Sequence, residues 1–191
     1  MQDLSYGMDI EELLKRYAAG ERDFRGTDLS DSELIGTNLS GADLSEGDFS
    51  CTDFTNANLS GVNFSKSMMI SATFECADLS YANLSTSDLT ECIFNDANLV
   101  GVNFSGSEMF TAVLSGANLS GACLNNVGLN VANLVGANLT DADLSGASLN
   151  SANITDANLT GVKNANISGA IIYTTTTSPD GSVVHSRQIC E

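Results

Sequence analysis

The sequence predicts an all-β solenoid built from square coils, and three observations carry that prediction. The stretch from Leu114 to Leu159 reads as one five-residue phrase repeated without interruption, LSGAN LSGAC LNNVG LNVAN LVGAN LTDAD LSGAS LNSAN ITDAN L. Within it the residue two places before each Leu or Ile is small, mostly Ala. Second, the register extends back to Phe24 without a missed beat, giving 28 positions five apart: 18 Leu, 7 Phe, 2 Met and 1 Ile. A short period of this kind governs the fold before any helix or strand is considered. Third, a period of five suits neither regular structure. On a helix successive Leu side chains would fall about 140° apart and form no face. On a strand they would alternate between core and water.

A chain that turns a right-angled corner every five residues sends every central side chain to one axis. Four sides close a coil of twenty residues, and coils stack at roughly 4.7–4.9 Å with backbone hydrogen bonds along the axis. Seven coils make a rod roughly 33 Å long.

Met1 to Gly7 carries no pattern and is expected to be disordered. From Asp9 the period becomes helical, with Ile10, Leu13, Leu14 and Tyr17 on one stripe. Asp9 and Glu12 form a capping-box pair, Lys15 and Arg16 fill the last turn, and Gly20 marks the stop. One helix of about ten residues is expected, docked on the open end of the first coil beside Phe24 and Leu29.

Within the rod, folding at twenty gives four columns of central residues. Phe54, Phe74 and Phe94 then stack one coil apart, and the fourth column is Leu at 39, 59, 79, 99, 119, 139 and 159. Before those Leu residues stand Asn38, Asn58, Asp78, Asn98, Asn118, Asn138 and Asn158, a structural ladder able to hydrogen-bond along the axis. After Leu159 the phrase breaks, with Asn164 at a core position, where an unpartnered amide is costly. It resumes three residues out of step at Ile167 and Ile172, so the last coil is expected to bulge. Thr-rich and Val-rich runs flanking Ser178-Pro179-Asp180-Gly181 predict a hairpin that caps the C-terminal end.

The repeated A(D/N)LxX phrase resembles the pentapeptide-repeat family over residues 22 to about 172. That resemblance implies a right-handed quadrilateral β-helix, with the central Leu or Phe and the preceding Ala inside. The expected architecture is therefore about seven to eight coils with an N-terminal capping α-helix and a C-terminal hairpin-like cap. Its segments are 1–20 for the N-terminal part and capping helix, 22–172 for the β-helix and 173–191 for the cap or tail. The opening MDIEELLKRYAAGERDF and the closing PDGS resemble cyanobacterial members, including a regulator of heterocyst differentiation. The family implies a scaffold and no single activity.

Composition narrows the function. The net charge is −17, and residues 26–162 hold sixteen acids against one base, Lys66. Direct binding to nucleic acid needs Lys and Arg, so it is not expected. The first twenty residues hold no apolar leader and no run is long enough to span a membrane, which points to the cytoplasm and no membrane partner. Cys51, Cys76, Cys92, Cys123 and Cys190 show no metal or CxxC spacing and read as isolated reduced thiols, Cys92 facing inward.

No catalytic, metal or cofactor site is expected. The single His lies in the tail, no base is placed beside a Ser, and no phosphate-cradling Gly loop occurs. Asp28 with Asp48 and Glu33 with Asp53 stack one coil apart, so at least one pKa of each pair should rise. Without converging further ligands these carboxylates form a solvated acidic face rather than a cation site.

Two functions of different class remain. The first is a regulatory protein–protein interaction scaffold, monomeric or a weak dimer, with an unidentified protein partner. Its candidate surface is the departure from polar flanking residues at Met68, Ile70, Ile93, Phe110 and Val113, with Asp88, Glu91 and Glu108 as a rim. The alternative resembles the gyrase-protecting members of the family, whose acidic rod mimics DNA and binds a type II topoisomerase. Its candidate surface is Asp28, Asp31, Glu33, Asp43, Glu46, Asp48 and Asp53 on the first coils.

Overall fold

The computed structural model describes residues 8–173, 175–185 and 188–189; the expectation for Met1 to Gly7 lies outside them. The first element is α1, Ile10–Ala18, one residue shorter than expected. Asp9 caps it by accepting the Glu12 N–H at 2.8 Å, and two bonds close its end, Gly20 N–H to Tyr17 O and Glu21 N–H to Arg16 O. The expected stripe faces the rod. Leu13 is fully buried in the common core, with Ile10, Leu14 and Tyr17 packed against it. The Tyr17 hydroxyl donates to Ser40 O at 2.9 Å, and the Arg16 guanidinium lies over the Phe24 ring.

From Asp23 to Lys163 the backbone forms parallel bridges between residues twenty apart, in four columns that begin at Asp23, Asp28, Glu33 and Asn38. These columns define the first to fourth faces of the rod. The side around Phe54 shows how one pentad satisfies its donors. Phe54 and Asn56 donate to Thr73 O and Glu75 O of the next coil, Asp53 donates to Ser32 O of the previous one, and Ala57 closes the corner onto Phe54 O. The fifth N–H, that of Thr55, is taken by Asp53 Oδ1 at 2.8 Å. This is why the phrase carries Asp or Asn before the central residue. A short side chain there accepts the N–H two residues on, which no carbonyl reaches.

Each corner is turned by a residue with positive φ two places after the central one, as the third residue of a type II turn requires. Inside, all 28 central side chains are buried. Phe54, Phe74 and Phe94 stack at 5.0 and 4.9 Å with interplanar angles of 7° and 5°, so the coil repeat sets the ring spacing. Polar side chains in the small inward slots bond carbonyls: Thr52 reaches Leu29 O, Ser87 reaches Phe64 O and the Cys92 thiol reaches Met69 O. Burial pushes the Cys92 thiol far up from its ordinary value, which keeps it protonated. Cys51 and Cys76 are exposed at corners, Cys123 is half-buried, and Cys190 lies outside the described residues.

Two expectations are corrected. The Asn ladder of the fourth face is present in pieces, Asp78 with Asn98 and Asn118 with Asn138. The continuous run lies on the first face, where Asn103, Asn83 and Asn63 each donate to the coil before and Asp43 accepts the last bond at 2.9 Å. The second correction concerns the break after Leu159. Asn164 occupies no core slot; it is exposed with φ 52° and donates to Ser145 Oγ at 2.8 Å. The last coil shortens rather than bulges. Asn153 pairs with Ile171, eighteen residues on, and Asn158 with Thr177, nineteen on. Dropping two residues brings Ile172 into the core and leaves the amide in water.

The expected hairpin is present. Ile171–Ile172 is β1, Thr175–Thr177 is β2, Val183–His185 is β3 and Gln188–Ile189 is β4. β2 pairs antiparallel with β3, and β1 with β4.

The ladder makes a deletion test decisive. Removing residues 115–134 takes out one turn of the ladder and keeps every column aligned, whereas removing 115–119 rotates all later pentads by one face. The first variant is expected to keep a cooperative thermal melt and the second to lose several kcal/mol, roughly the worth of a few mispacked core side chains. Equal midpoints in calorimetry would show that the four faces are interchangeable.

Candidate functional site

The four faces are not equivalent. All 19 Asp or Asn residues that precede a central residue accept the N–H two places on, from Asp23 to Asn158. The fourth face keeps this side chain in every coil, and the first loses it within the phrase only at Cys123. The second and third faces lose it at Glu33, Met68, Thr73, Ile93, Glu108, Val113, Gly128 and Ser148. Each loss forgoes about 1 kcal/mol of hydrogen bonding. No acceptor among the described residues reaches the N–H groups of Ile70, Asn95, Phe110 or Ser115.

The corner between the second and third faces departs in a second way. Its residues are Asp31, Cys51, Ser71, Glu91, Thr111, Val131 and Ser151, all with φ near +60° and none of them Gly. By contrast, the corner between the fourth and first faces carries Gly at 41, 61, 101, 121 and 161. A side chain in that conformation costs about 1–2 kcal/mol, most for a β-branched residue such as Val131. The relaxed faces therefore share a ridge of side chains, a signal present in the sequence folded at twenty but not in the positions of its apolar residues alone.

The predicted patch sits on these faces. Met68 is 47% exposed, Ile70 36% and Phe110 48%, while Ile93 and Val113 are half-buried and bridged to each other one coil apart. Ile70 and Phe110 share a column two coils apart on the second face. The described part of the tail pairs with Asn153 and Asn158, two or more coils away, so it does not cover them. On the third face Asn95 Oδ1 is buried without a hydrogen-bond partner. In the rim, Asp88 lies between Met68 and Glu108 in the bridge ladder, and Ser71 Oγ donates to Glu91 at 3.1 Å. The Glu108 carboxylate folds over Gly128, where a Cβ would meet it.

The predicted acidic surface divides between faces. Asp28 and Asp48 are bridged on the second, Glu33 and Asp53 on the third, and Asp43 lies on the first. Asp31 stands on the ridge, and Glu46, at the other corner of the second face, pairs with Lys66 at 3.2 Å. Asp28 is not the member of its pair that rises: its carboxyl lies below its ordinary value because the Ser30 N–H and hydroxyl both donate to it. Arg25 holds Asp23 down to about 2. Among the described residues no group of three or more His, Cys, Asp or Glu is placed to hold a metal ion, and no helix is long and apolar enough to cross a membrane.

Two hollows adjoin these elements. One of about 440 Å3 runs beside the second face, lined by Asp28, Asp48, Lys66, Met68 and Asp88, with Gly47 in its lining. A Cβ at Gly47 would strike the Phe49 ring and Thr27 O at 2.6–2.7 Å, so the wall can be no thicker there. The other, about 470 Å3, lies at the helix end, and its arginines are already paired, Arg16 with Glu21 and Arg25 with Asp23.

The missing cap on the second face can be restored. Met68→Asn places an acceptor near the Ile70 N–H and a donor near Asp48, as in the continuous ladder of the first face. It is expected to raise stability in urea by about 0.5–1.5 kcal/mol. A comparable loss would show that Met68 contributes packing that its exposure conceals.

No curated protein matches the chain. Among solved structures, HetL, a protein involved in heterocyst differentiation regulation from the cyanobacterium Nostoc sp. PCC 7120, is 26% identical. That match covers 93% of this chain and 100% of that one at a TM-score of 0.39. A trypsin-treated form of QnrB1, a plasmid-mediated fluoroquinolone resistance protein, is 20% identical over 78% of this chain and 91% of that one, at a TM-score of 0.52. The model of pentapeptide repeats matches eight copies, at residues 23–61, 48–85, 69–106 and 129–171. With the twenty-residue ladders, the repeat matches and the likeness to the QnrB1 structure imply a right-handed quadrilateral β-helix, and the chain belongs to the pentapeptide-repeat family.

Proposed function

We propose that this chain is a non-catalytic scaffold that holds its second and third faces against a protein partner in a regulatory role. One observation carries the reading: the exposed apolar side chains of Met68, Ile70 and Phe110 all fall on the second face, one of the two that give up the structural rules kept elsewhere. Local rules broken together on one surface mark a site selected for something other than stability. A family whose members serve as structural or interaction scaffolds supports it. In this reading residues 22–172 form the rod, the helix within the segment 1–20 and the hairpin within the segment 173–191 cap its ends, and the protein acts in the cytoplasm.

The test is a paired capture from native lysate with the chain and its Ile70→Glu/Phe110→Glu variant, quantified by mass spectrometry. A protein depleted from the variant, at an unchanged thermal midpoint, is the expected result. If the variant unfolds, the two side chains are core and the surface is misassigned; if the captured sets are identical, the patch binds nothing.

The acidity of the rod supports a second reading, a DNA mimic that occupies a type II topoisomerase. Against it, the acidic column of the second face, Asp28, Asp48, Asp88 and Glu108, is interrupted by Met68. In a supercoiling assay at low salt, where steering is strongest, the expected result is no inhibition and no protection at micromolar protein. Protection of the enzyme would make the mimic the better reading.

A further inference from the structure

The second face has a geometry that selects the form of its partner as well as its charge. Its i–1 column holds Asp28, Asp48, Met68, Asp88 and Glu108 in successive coils, and its i+1 column holds Ile70 and Phe110 two coils apart. With Phe rings stacked at 4.9–5.0 Å per coil, Ile70 and Phe110 are separated by about 10 Å along the axis, and the acidic column spans about 20 Å. Two turns of an α-helix rise about 10.8 Å, so residues seven apart on a helix laid along the rod meet both side chains. Twenty ångströms correspond to about thirteen helical residues.

An extended segment does not fit. The backbone carbonyls on this side already accept bonds between coils, as Ile70 O does from Cys51 N and Phe110 O from Glu91 N. The free N–H groups of Ile70 and Phe110 are about 10 Å apart, whereas residues on one edge of a strand recur at about 6.6–6.8 Å. Main-chain addition needs alternating donors and acceptors at that spacing. A helix brings its own backbone already satisfied and reads the face with side chains.

Charge decides between a foreign helix and a second copy. No Lys or Arg lies on the second or third face within the phrase, and Lys66 at the adjoining corner is paired with Glu46. Two copies facing each other through this patch would bring Asp88, Glu91 and Glu108 against acids of their own kind, on a chain of net charge −17. A helix with Lys and Arg beside its apolar stripe meets the same columns with opposite charge.

We propose that the second face docks a basic amphipathic helix of a partner protein, lying along the rod axis, with Ile70 and Phe110 receiving apolar residues seven positions apart and Asp48, Asp88 and Glu108 pairing with flanking Lys or Arg. The inference rests on the scaffold reading and adds to it the chemistry of the partner. Polar acceptors beside the apolar residues would meet the N–H groups of Ile70 and Phe110, so the interface is not purely hydrophobic.

The probe is a fluorescein-labelled, end-blocked helical peptide of about eighteen residues, rich in Ala and Lys, with two leucines seven positions apart and a glutamine beside each. Fluorescence anisotropy is read for the full chain, for Ile70→Ser/Phe110→Ser and for Asp88→Asn/Glu108→Gln. A control peptide of the same charge and leucine spacing carries a central proline that breaks the helix. The expected result is micromolar binding to the chain, weakened about tenfold or more by either double substitution. The proline peptide is expected to bind no better than the weaker variant, and added salt to weaken the intact peptide further. Equal binding of the proline peptide, or no effect of the Ser variant, overturns the proposal in favour of unspecific attraction to an acidic rod. No binding at all also overturns it. Sedimentation of the chain alone tests the second copy, since a dimer abolished by the Ser variant would overturn the foreign helix. A native protein lost from the Ile70→Glu/Phe110→Glu capture while the helical probe fails would leave the scaffold reading intact and remove only the helix.

Discussion

The rest of the structure depends on one constraint: the backbone hydrogen bonds that tie each pentad to the coil before and the coil after. They hold coils at the strand spacing and keep residues twenty apart in line, so every choice of side chain is repeated as a column. Columns magnify small preferences. A Phe becomes a stack of rings at 4.9–5.0 Å, an Asn becomes a relay of amides that ends on Asp43, and a single acid becomes a charged stripe. Since contacts run between neighbouring coils, the rod can vary on one face without loosening the others.

That separation explains how one chain combines a regular support with an irregular surface. The first and fourth faces satisfy the leftover N–H of nearly every pentad with Asp or Asn, and the corner between them is mostly Gly. Both choices follow from local chemistry alone. The second and third faces replace the cap at eight positions with Met, Ile, Val, Thr, Glu, Gly or Ser, and the ridge between them holds seven side chains in the left-handed region. Each replacement is mildly unfavourable, and they coincide with the exposed side chains of Met68, Ile70 and Phe110 and with most of the acids of the N-terminal coils. A rigid rod tolerates such a cluster because the common core, continuous from Leu13 to Ile172, carries the stability.

The acidic groups also show how local bonds outweigh neighbouring charges. Stacked carboxylates one coil apart suggest mutual repulsion, yet Asp28 is held ionised by the two donors of Ser30. The carboxylate that closes a corner turn is part of the backbone's hydrogen bonding as well as of the surface charge. Removing such a charge therefore alters structure and electrostatics together, whereas the side-chain carboxylates of Glu91 and Glu108, which accept no backbone N–H among the described residues, act through the surface alone.

Periodicity by itself determined the fold class, the twenty-residue coil, the inward columns and the Phe54, Phe74, Phe94 stack, because a core one side chain wide leaves a five-residue period only one way to close. Capping residues likewise marked α1, and Pro179 with Gly181 marked the turn between β2 and β3. The patch at Met68, Ile70 and Phe110 was visible as apolar letters in polar places, but that it shares faces with the missing caps and the Gly-free ridge depends on which N–H each side chain reaches. The direction of the break after Leu159 was also settled by three-dimensional packing. A phrase that resumes three residues late is equally a phrase two residues early, and sequence spacing treats these alike. Only the tertiary structure decided for the shorter coil, because it buries Ile172 and leaves the Asn164 amide hydrogen-bonded in water.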